Sequence, residues 1–542
     1  MVKRLGFSVL FYRMGWRWSL LWLVCFFASP AFVRAEETAA SDSTIREGFA
    51  SELLIGSAQR EITPPTGFPI SGYFHERLAT DMRDPLFAKA MVFEQDDTVV
   101  VWVACDLVGI TRDLYEEVTR RSESLHGIPV KHHIVSATHS HTAPDYRAHL
   151  VRHLRSEWKE SGSGEASDQA KIPYAEKLID GIVGAIGDAA SNRRPAKMMA
   201  GQAIQSVPVS FNRRSVMKDG SIQTWQRESN PARIRAAGPI DDQLGVIAVV
   251  DPKTNRPFTI CSSYALHLDT VGGTQWSADY PAYMHRAVAE KFGDEVLSIF
   301  GAGTCGDINH SDPSRKERNS CEFIGHSLGE TLVQKARSMV EGATETSPDE
   351  KSQLKYRHAV VPLPLQTSTE QQIERAKSLI PLARGGEKVA FEDLVVANRD
   401  AQLDRLTHNP SWIDADDPAN VSPMIAWEGI GDHLPVEVAS ITLGDELAIV
   451  FLPGEVFVDL GLAIKRHSPF KTTLVIELSN CVETAYLPTH AAYAQGSYEV
   501  INSRTKPGSG EKLVAAALAL LRSAASDETT VKYELHSELT SR

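Results

Sequence analysis

The sequence predicts an α/β fold, with α+β as the alternative: a single large domain in which mixed β-sheets are flanked by helices. Apolar runs with strand character recur along the chain, amphipathic helical segments lie between them, and the alternation lacks the strict βαβ rhythm of a purely parallel sheet. The chain has 542 residues, 42% of them hydrophobic. No linker-like segment divides it, so one large core can form.

The predicted elements follow from local patterns. Buried strands are predicted at 98–110, 132–141, 244–251, 258–267 and 296–309, and again in the last third at 436–444, 446–455 and 472–480. Amphipathic helices are predicted at 113–127, 174–190, 280–293, 321–340, 368–380 and 510–525. We detect no internal repeat in the sequence.

The first 35 residues have the composition of a secretory signal peptide. Lys3, Arg4, Arg13 and Arg17 precede a short apolar run, and small side chains end at Ala35. The run is shorter than the ~20 residues that a spanning helix needs. We therefore predict export, to the periplasm or out of the cell. Residues 36–50 are predicted to be a disordered leader, 51–525 the folded domain and 526–542 a polar tail.

The charge excludes one class of partner. The formal net charge is −13, and the predicted signal peptide carries five basic and no acidic side chains, so the mature chain carries about −18. Such a surface repels phosphate backbones, which argues against nucleic acid. It is compatible with a small-molecule or lipid substrate and with peripheral contact to a membrane surface. No obligate protein partner is indicated.

The cysteines of the predicted mature chain do not form a zinc knuckle, because none belongs to a CxxC pair. Cys105, Cys261 and Cys481 lie in or beside apolar stretches and are interpreted as buried small hydrophobes. Cys305 and Cys321 flank a loop, so either a disulfide or two free thiols is compatible with the sequence.

The most informative local motif is THSH at 138–141, at the end of a predicted strand. Residues two apart in a strand point to the same face, so His139 and His141 are expected to project together. Imidazole suits zinc, and a His-x-His pair is a common metal motif. Alone the motif is weak evidence, since surface histidine pairs are frequent.

Three further fragments place a polar residue after an apolar stretch: His267 in CSSYALHLDT, Glu455 in LAIVFLPGEVF and Tyr486 in SNCVETAYLPTH. Each also has a structural interpretation. These are a satisfied core histidine, a glutamate at a helix N-terminus and a structural tyrosine. Taken singly, the structural interpretations are favoured.

Together the segments resemble a known family. Eight motifs in order resemble those of the neutral (alkaline, non-lysosomal) ceramidases: GSAQREITPPTGFPISGY, VSATHSHTAPDY, FNRR, YALHLDT, SADYPAY, GAGTCGDINH, LPGEVF and AYLPTHAAYAQGSYE. They span nearly the whole predicted mature chain. The resemblance implies an enzyme, a zinc-dependent hydrolase of linear amide bonds, with Zn²⁺ as its only cofactor.

The resemblance also implies the roles of site residues. Zinc would be held by His139, His267, Glu455 and Tyr486, and would activate a water molecule for attack on the amide. His141 would transfer protons, and Arg213 and Tyr498 would stabilise the oxyanion. Independently of the resemblance, we expect Asp269 or Asp307 to orient the ligand imidazoles.

The sequence departs from the family in two places. Where those ceramidases carry a serine in GDxSP, this chain has Asn309, followed by His310; Ser311 is the nearest hydroxyl. An amide side chain cannot accept an acyl group as serine would, which favours attack by water. The family's C-terminal immunoglobulin-like domain is also expected to be missing.

Three functions remain open at this point. The first is ceramidase-like hydrolysis of an N-acyl amide, giving sphingosine and fatty acid from ceramide. The second is a zinc hydrolase for a different N-acyl or ester substrate, and the third is a catalytically silent secreted binding protein. A deep apolar pocket at the metal would favour a lipid, whereas a polar cleft would favour a sugar or peptide.

Overall fold

The computed structural model describes residues 51–155, 173–342, 352–410, 412 and 424–526. The predicted signal peptide, the predicted leader and the predicted tail from residue 527 onward lie outside the described residues. No helix in the described ranges has the length and apolarity to cross a membrane.

The described strands, in chain order, are β1 Leu54–Glu61, β2 Pro69–Ile70, β3 Arg77–Leu78, β4 Asp81–Met82, β5 Phe87–Gln95, β6 Thr98–Cys105, β7 His133–Ala137, β8 Arg194–Pro195, β9 Lys197–Ile204, β10 Phe211–Asn212, β11 Arg214–Met217, β12 Ile222–Thr224, β13 Arg233–Ala236, β14 Gln243–Val250, β15 Pro257–Tyr264, β16 Gln275–Trp276, β17 Leu297–Ala302, β18 Ile308–Asn309, β19 Leu354–Pro364, β20 His433–Leu443, β21 Leu447–Phe451, β22 Glu455–Val456, β23 Thr472–Ile476 and β24 Tyr486–Leu487.

The described α-helices are α1 Arg112–His126, α2 Arg147–Leu154, α3 Tyr174–Ser191, α4 Pro281–Phe292, α5 Cys321–Glu341, α6 Glu370–Arg384, α7 Phe391–His408, α8 Val458–His467, α9 His490–Gln495, α10 Tyr498–Asn502 and α11 Ser509–Ser526. A single 3₁₀ turn, Val130–His132, precedes β7.

Three mixed sheets share one topology. Their strand orders are β7-β6-β5-β1-β8, β17-β15-β14-β9 and β23-β21-β20-β19. In each sheet an antiparallel set is extended by one parallel pair: β6 with β7, β15 with β17, and β21 with β23. One helix connects the strands of each parallel pair: α1, α4 and α8, respectively. The fold therefore contains a threefold structural repeat that the sequence analysis missed.

The sheets enclose a central core and carry helices on their outer faces. Trp102, Ile247 and Ile449, one from each sheet, belong to the same buried hydrophobic cluster. The other faces are covered by the closing helices of the three units, α3, α5 and α11. The predicted α/β class with mixed sheets and flanking helices is confirmed.

The five described cysteines are all buried and free. The disulfide left open between Cys305 and Cys321 is therefore not formed. Instead the Cys305 Sγ donates to a carboxylate oxygen of Glu477 at 3.0 Å. Because Cys305 is buried, we interpret its free thiol as a small side chain of the hydrophobic core.

Candidate metal centre

The predicted ligands lie beyond the carboxyl ends of strands in the parallel pairs, one from each sheet. His139 follows β7, His267 follows β15, and Glu455 follows β21. Gly454 makes the turn before Glu455 with a backbone φ of +62°, and a Cβ there would collide with the Ala485 carbonyl. The next strand, β22, pairs in parallel with β24, so that Glu455 lies opposite Tyr486.

The side chains of these residues converge. The Nε2 atoms of His139 and His267 are 3.1 Å apart. The Oε2 atom of Glu455 lies 3.4 Å from His139 Nε2 and 3.3 Å from His267 Nε2. Sequence positions as far apart as 139 and 455 therefore meet within one small volume.

Backbone carbonyls fix the orientation of both imidazoles. His139 Nδ1 donates to the Val108 carbonyl at 2.7 Å, and His267 Nδ1 donates to the Cys305 carbonyl at 2.8 Å. With the proton on Nδ1, each Nε2 presents a lone pair to the shared space. This arrangement is typical of metal-ligating histidines, whose second nitrogen donates to a carbonyl or carboxylate.

The residues present fit a cation. Two imidazole lone pairs face a carboxylate oxygen, and Glu455 Oε2 has no hydrogen-bond donor among the described residues. Burial opposes ionisation of Glu455, but His139 and His267, when protonated, hold its pKa well below its usual range. Buried acceptors without donors are rare, and a nitrogen and carboxylate donor set suits zinc.

His141 belongs to the same cluster but is held differently. Its Nε2 lies 3.4 Å from His139 Nε2, and His139, His141 and His267 form a group that could hold a metal ion. Its Nδ1 is buried and finds no partner within the described ranges. Burial and the neighbouring His139 lower the pKa of His141 to about 3, so the ring is neutral at neutral pH.

Arg213 links the cluster to Tyr486. Its Nη2 donates to the Tyr486 hydroxyl at 3.0 Å and to the Gly306 carbonyl at 2.7 Å, and its Nη1 lies 3.4 Å from His267 Nε2. Burial and the nearby Glu455 carboxylate raise the pKa of Tyr486 well above its usual range. Without a cation the phenol is therefore neutral.

Tyr498 stands beside this group. Its ring centroid is 5.6 Å from that of Tyr486. Burial and Glu455 raise the pKa of Tyr498 to about 12, so its hydroxyl keeps its proton and can donate. Trp225 and Phe391, both half exposed, pack against the same ring. All seven predicted site residues are thus linked through the cluster, through Arg213 or through ring contact.

A cavity of about 230 Å³ opens onto the cluster. It is smaller than the roughly 300–1,000 Å³ of typical small-molecule sites. Its wall includes His139, His141, Glu455, Tyr486 and Tyr498, together with the charged residues Asp145, Arg147, Arg399, Glu483 and Arg504. Charged side chains therefore share the wall with apolar ones, which include Phe74, Met424 and Val482.

Two expectations about the neighbourhood are wrong. Neither Asp269 nor Asp307 orients a ligand imidazole, because carbonyl oxygens take that role. Asp269 instead pairs with His310 Nδ1 at 2.9 Å, and Asp307 accepts from Asn212 and from the Val458 amide. The shared strand face expected for the His-x-His pair is also wrong, since β7 ends at Ala137 and His139 has a φ of +76°.

Asn309 has a structural role rather than a place on the cavity wall. It is buried in the two-residue strand β18, and its Oδ1 accepts the Ser311 amide at 3.1 Å. Ser311 does not line the cavity either, as the described residues define it.

We expect Asn309→Ala to lower kcat by less than about tenfold and the free energy of unfolding by about 1–2 kcal/mol, the usual cost of one buried hydrogen bond. Steady-state kinetics and urea denaturation measure the two effects, with Asn309→Asp as the control that keeps the acceptor. Complete loss of activity with metal retained would contradict this assignment.

Glu499 was not among the predicted site residues. It is fully buried, and its carboxylate accepts from Arg213 Nε at 2.8 Å and from Arg214 Nη1 at 3.1 Å. The double arginine in FNRR was the available signal, since two buried cations need a buried anion. The carbonyl acceptors of Val108 and Cys305 could not be found from the sequence, because every residue has a backbone carbonyl.

No family model matches the sequence, and no curated protein sequence matches it significantly. Solved structures do match. The neutral ceramidase from Pseudomonas aeruginosa aligns with a TM-score of 0.61 and 16% identity over 90% of this chain and 77% of that one. A structure described as ceramidase complexed with C2 aligns with a TM-score of 0.60 and 16% identity over 91% and 78%. The chain therefore has the fold of the neutral ceramidases, as the motif resemblance predicted.

Proposed function

We propose that the protein is an exported zinc-dependent amidohydrolase that cleaves an N-acyl amide bond. The observation that carries this proposal is the convergence of His139, His267 and Glu455: Glu455 Oε2 lies within 3.4 Å of both imidazole Nε2 atoms and has no hydrogen-bond donor among the described residues. Tyr486, held by Arg213, supplies the fourth ligand in this proposal. A zinc ion bound there would polarise the amide carbonyl and lower the pKa of a bound water molecule to about 7.

The surrounding side chains suit the remaining steps of amide hydrolysis. His141 is neutral, lines the cavity and has a free Nδ1 in the described part of the chain, so its ring can turn and accept a proton from the attacking water. The imidazolium formed in this way can then protonate the leaving nitrogen. Tyr498, which lines the cavity, can donate to the developing oxyanion, and Arg213 adds a positive charge beside Tyr486.

Covalent catalysis by a serine is not part of this proposal, since Asn309 stands at the family's serine position. The silent binding protein is disfavoured, because such a protein has no need for anchored imidazoles, a general base and an oxyanion donor in one cavity. Ceramide is the first substrate to test, given the fold. The charged cavity wall favours an N-acyl compound with a polar part.

We expect His141→Ala to lower kcat by about 10²–10⁴-fold while the protein keeps one zinc per chain, because the general base is lost and the ligands are not. Metal analysis of the dialysed variant and hydrolysis of a panel of N-acyl amides, ceramide included, measure both. Loss of zinc from this variant would make His141 a ligand. Unchanged activity would remove it from the mechanism.

A further inference from the structure

Three arginines line the cavity, and they differ in how their charge is compensated. Arg147 donates Nε and Nη2 to the two carboxylate oxygens of Asp145, at 2.8 and 3.0 Å. Arg399 donates Nε and Nη2 to Asp400 at 3.0 and 2.7 Å. These two cations are neutralised by carboxylates within the protein.

Arg504 has no such carboxylate. Its Nη1 donates to the Glu483 backbone carbonyl, its buried Nε has no partner, and it forms no ion pair within the residues that the structure describes. The Glu483 side chain is engaged elsewhere, because its oxygens accept the backbone amides of Arg112 and Val482 at 2.8 and 3.0 Å. Arg504 therefore offers the cavity a guanidinium whose donors are mostly unused.

The electrostatic setting agrees with this geometry. Burial lowers the pKa of Arg504 to about 10, partly offset by Glu483, so the group stays charged at neutral pH but is poorly solvated. Arg504 and Glu455 line the same cavity, so the guanidinium shares that space with the candidate metal centre. A partly buried cation without a hydrogen-bonded anion is costly, and an anionic ligand would compensate it.

We propose that Arg504 recognises an anionic group on the substrate, so that the enzyme acts on acidic N-acyl compounds rather than on a neutral sphingolipid. The hydrolysis of such compounds rests on the proposed amidohydrolase function. The binding of the anion by Arg504 does not depend on it. The reaction adds water across the C–N bond, and gives a carboxylic acid and an amine, one of which keeps the anionic group. A carboxylate and a phosphate both have the oxygen geometry that a guanidinium recognises.

The test compares matched substrates. The carboxylate arm uses N-acyl derivatives of glycine, β-alanine and γ-aminobutyrate. An N-succinyl amine places the carboxylate on the acyl side, and N-acylethanolamine phosphate supplies the phosphate. N-acylethanolamine, ceramide and N-acylglycinamide are the neutral substrates. We expect kcat/KM for at least one anionic amide to exceed that of its neutral counterpart by about 10- to 100-fold.

Arg504→Gln should remove that advantage and leave hydrolysis of the neutral amides within about threefold. Arg504→Lys keeps the charge and should retain part of the advantage of the anionic amides. It replaces Arg504→Gln in the test if the glutamine variant does not fold. Arg256→Gln is the matched control, since Arg256 is exposed in the turn before β15, away from the carboxyl end that carries His267. Equal losses for both substrate types, or a preference for neutral amides throughout, would overturn the proposal.

A separate binding measurement distinguishes failure of this inference from failure of the proposed function. Hippurate and its neutral amide are titrated calorimetrically into full-length His139→Ala, in which we expect turnover to be too slow to disturb the measurement. If the wild-type protein hydrolyses no amide, the proposed function fails; tighter binding of hippurate that Arg504→Gln abolishes would still support anion recognition. Equal binding of the two compounds would overturn it.

Discussion

Replacement of His139 by alanine is expected to abolish metal binding and to lower amide hydrolysis by about a thousandfold or more. His139 supplies an Nε2 that lies 3.1 Å from His267 Nε2 and 3.4 Å from Glu455 Oε2. Without it the site loses one of its two anchored imidazoles, and we expect the remaining ligands to hold zinc too weakly to survive dialysis. A bound metal contributes several kcal/mol to transition-state stabilisation. Its loss is therefore expected to lower the rate by about a thousandfold or more.

His132→Ala is the matched control. Its Nδ1 also bonds to a backbone carbonyl, that of Val99 at 2.8 Å, but it precedes β7, whereas His139 follows the opposite end of that strand. The control should keep its zinc and stay within a fewfold of wild-type activity. If His139→Ala retained one zinc per chain and normal kinetics, the ligand assignment would be wrong.

The second large effect is on stability. Glu499→Ala should lower the free energy of unfolding by about 3–5 kcal/mol, because it leaves the Arg213 and Arg214 guanidinium groups buried without their shared anion. Activity should fall as well, since Arg213 would no longer be fixed beside the cluster. Guanidinium chloride denaturation with zinc present gives the first quantity, and kinetics give the second.

Two variants sharpen this measurement. Glu499→Gln keeps the shape and one acceptor and should lie between wild type and alanine. Asp188→Ala removes an exposed ion pair with Arg60 and should cost less than about 1 kcal/mol. If Glu499→Ala lowered the free energy of unfolding by less than about 1 kcal/mol, water would have to reach Arg213 and Arg214. The cluster of these two arginines and Glu499 would then not be buried in solution.

Local patterns predicted the individual elements well. The helix predicted at 174–190 is observed at Tyr174–Ser191, and that at 510–525 is observed at Ser509–Ser526. Helix α1 begins after the Thr111 cap and ends at His126, before Gly127, whose φ is +70°. Such features depend on neighbours in sequence, namely side-chain periodicity, capping oxygens and a left-handed glycine.

The arrangement of these elements could not be predicted in the same way. The threefold repeat is defined by strand pairing, and the three units have no sequence similarity that we detected. Each unit needs only buried apolar residues at matching strand positions, which many sequences satisfy. The parallel pairs also bring together segments separated by a crossover helix, and no local pattern reports which strands will pair.

The candidate site was predicted in part. Residue type and motif order indicated the four proposed ligands and the three catalytic residues. The hydrogen bonds that orient the ligand imidazoles could not be predicted from the sequence, because their acceptors are backbone carbonyls. The left-handed conformation of His139 was likewise invisible, since histidine adopts it only when the surrounding fold requires it.

The most direct test of the metal centre is anomalous diffraction from crystals of the zinc-loaded protein, recorded on both sides of the zinc absorption edge. A single strong peak, present only above the edge and bonded to His139 Nε2, His267 Nε2, Glu455 and Tyr486, is the predicted result. Absence of a peak at this position in fully zinc-saturated crystals, or zinc bound only at a site elsewhere, would contradict the proposed function.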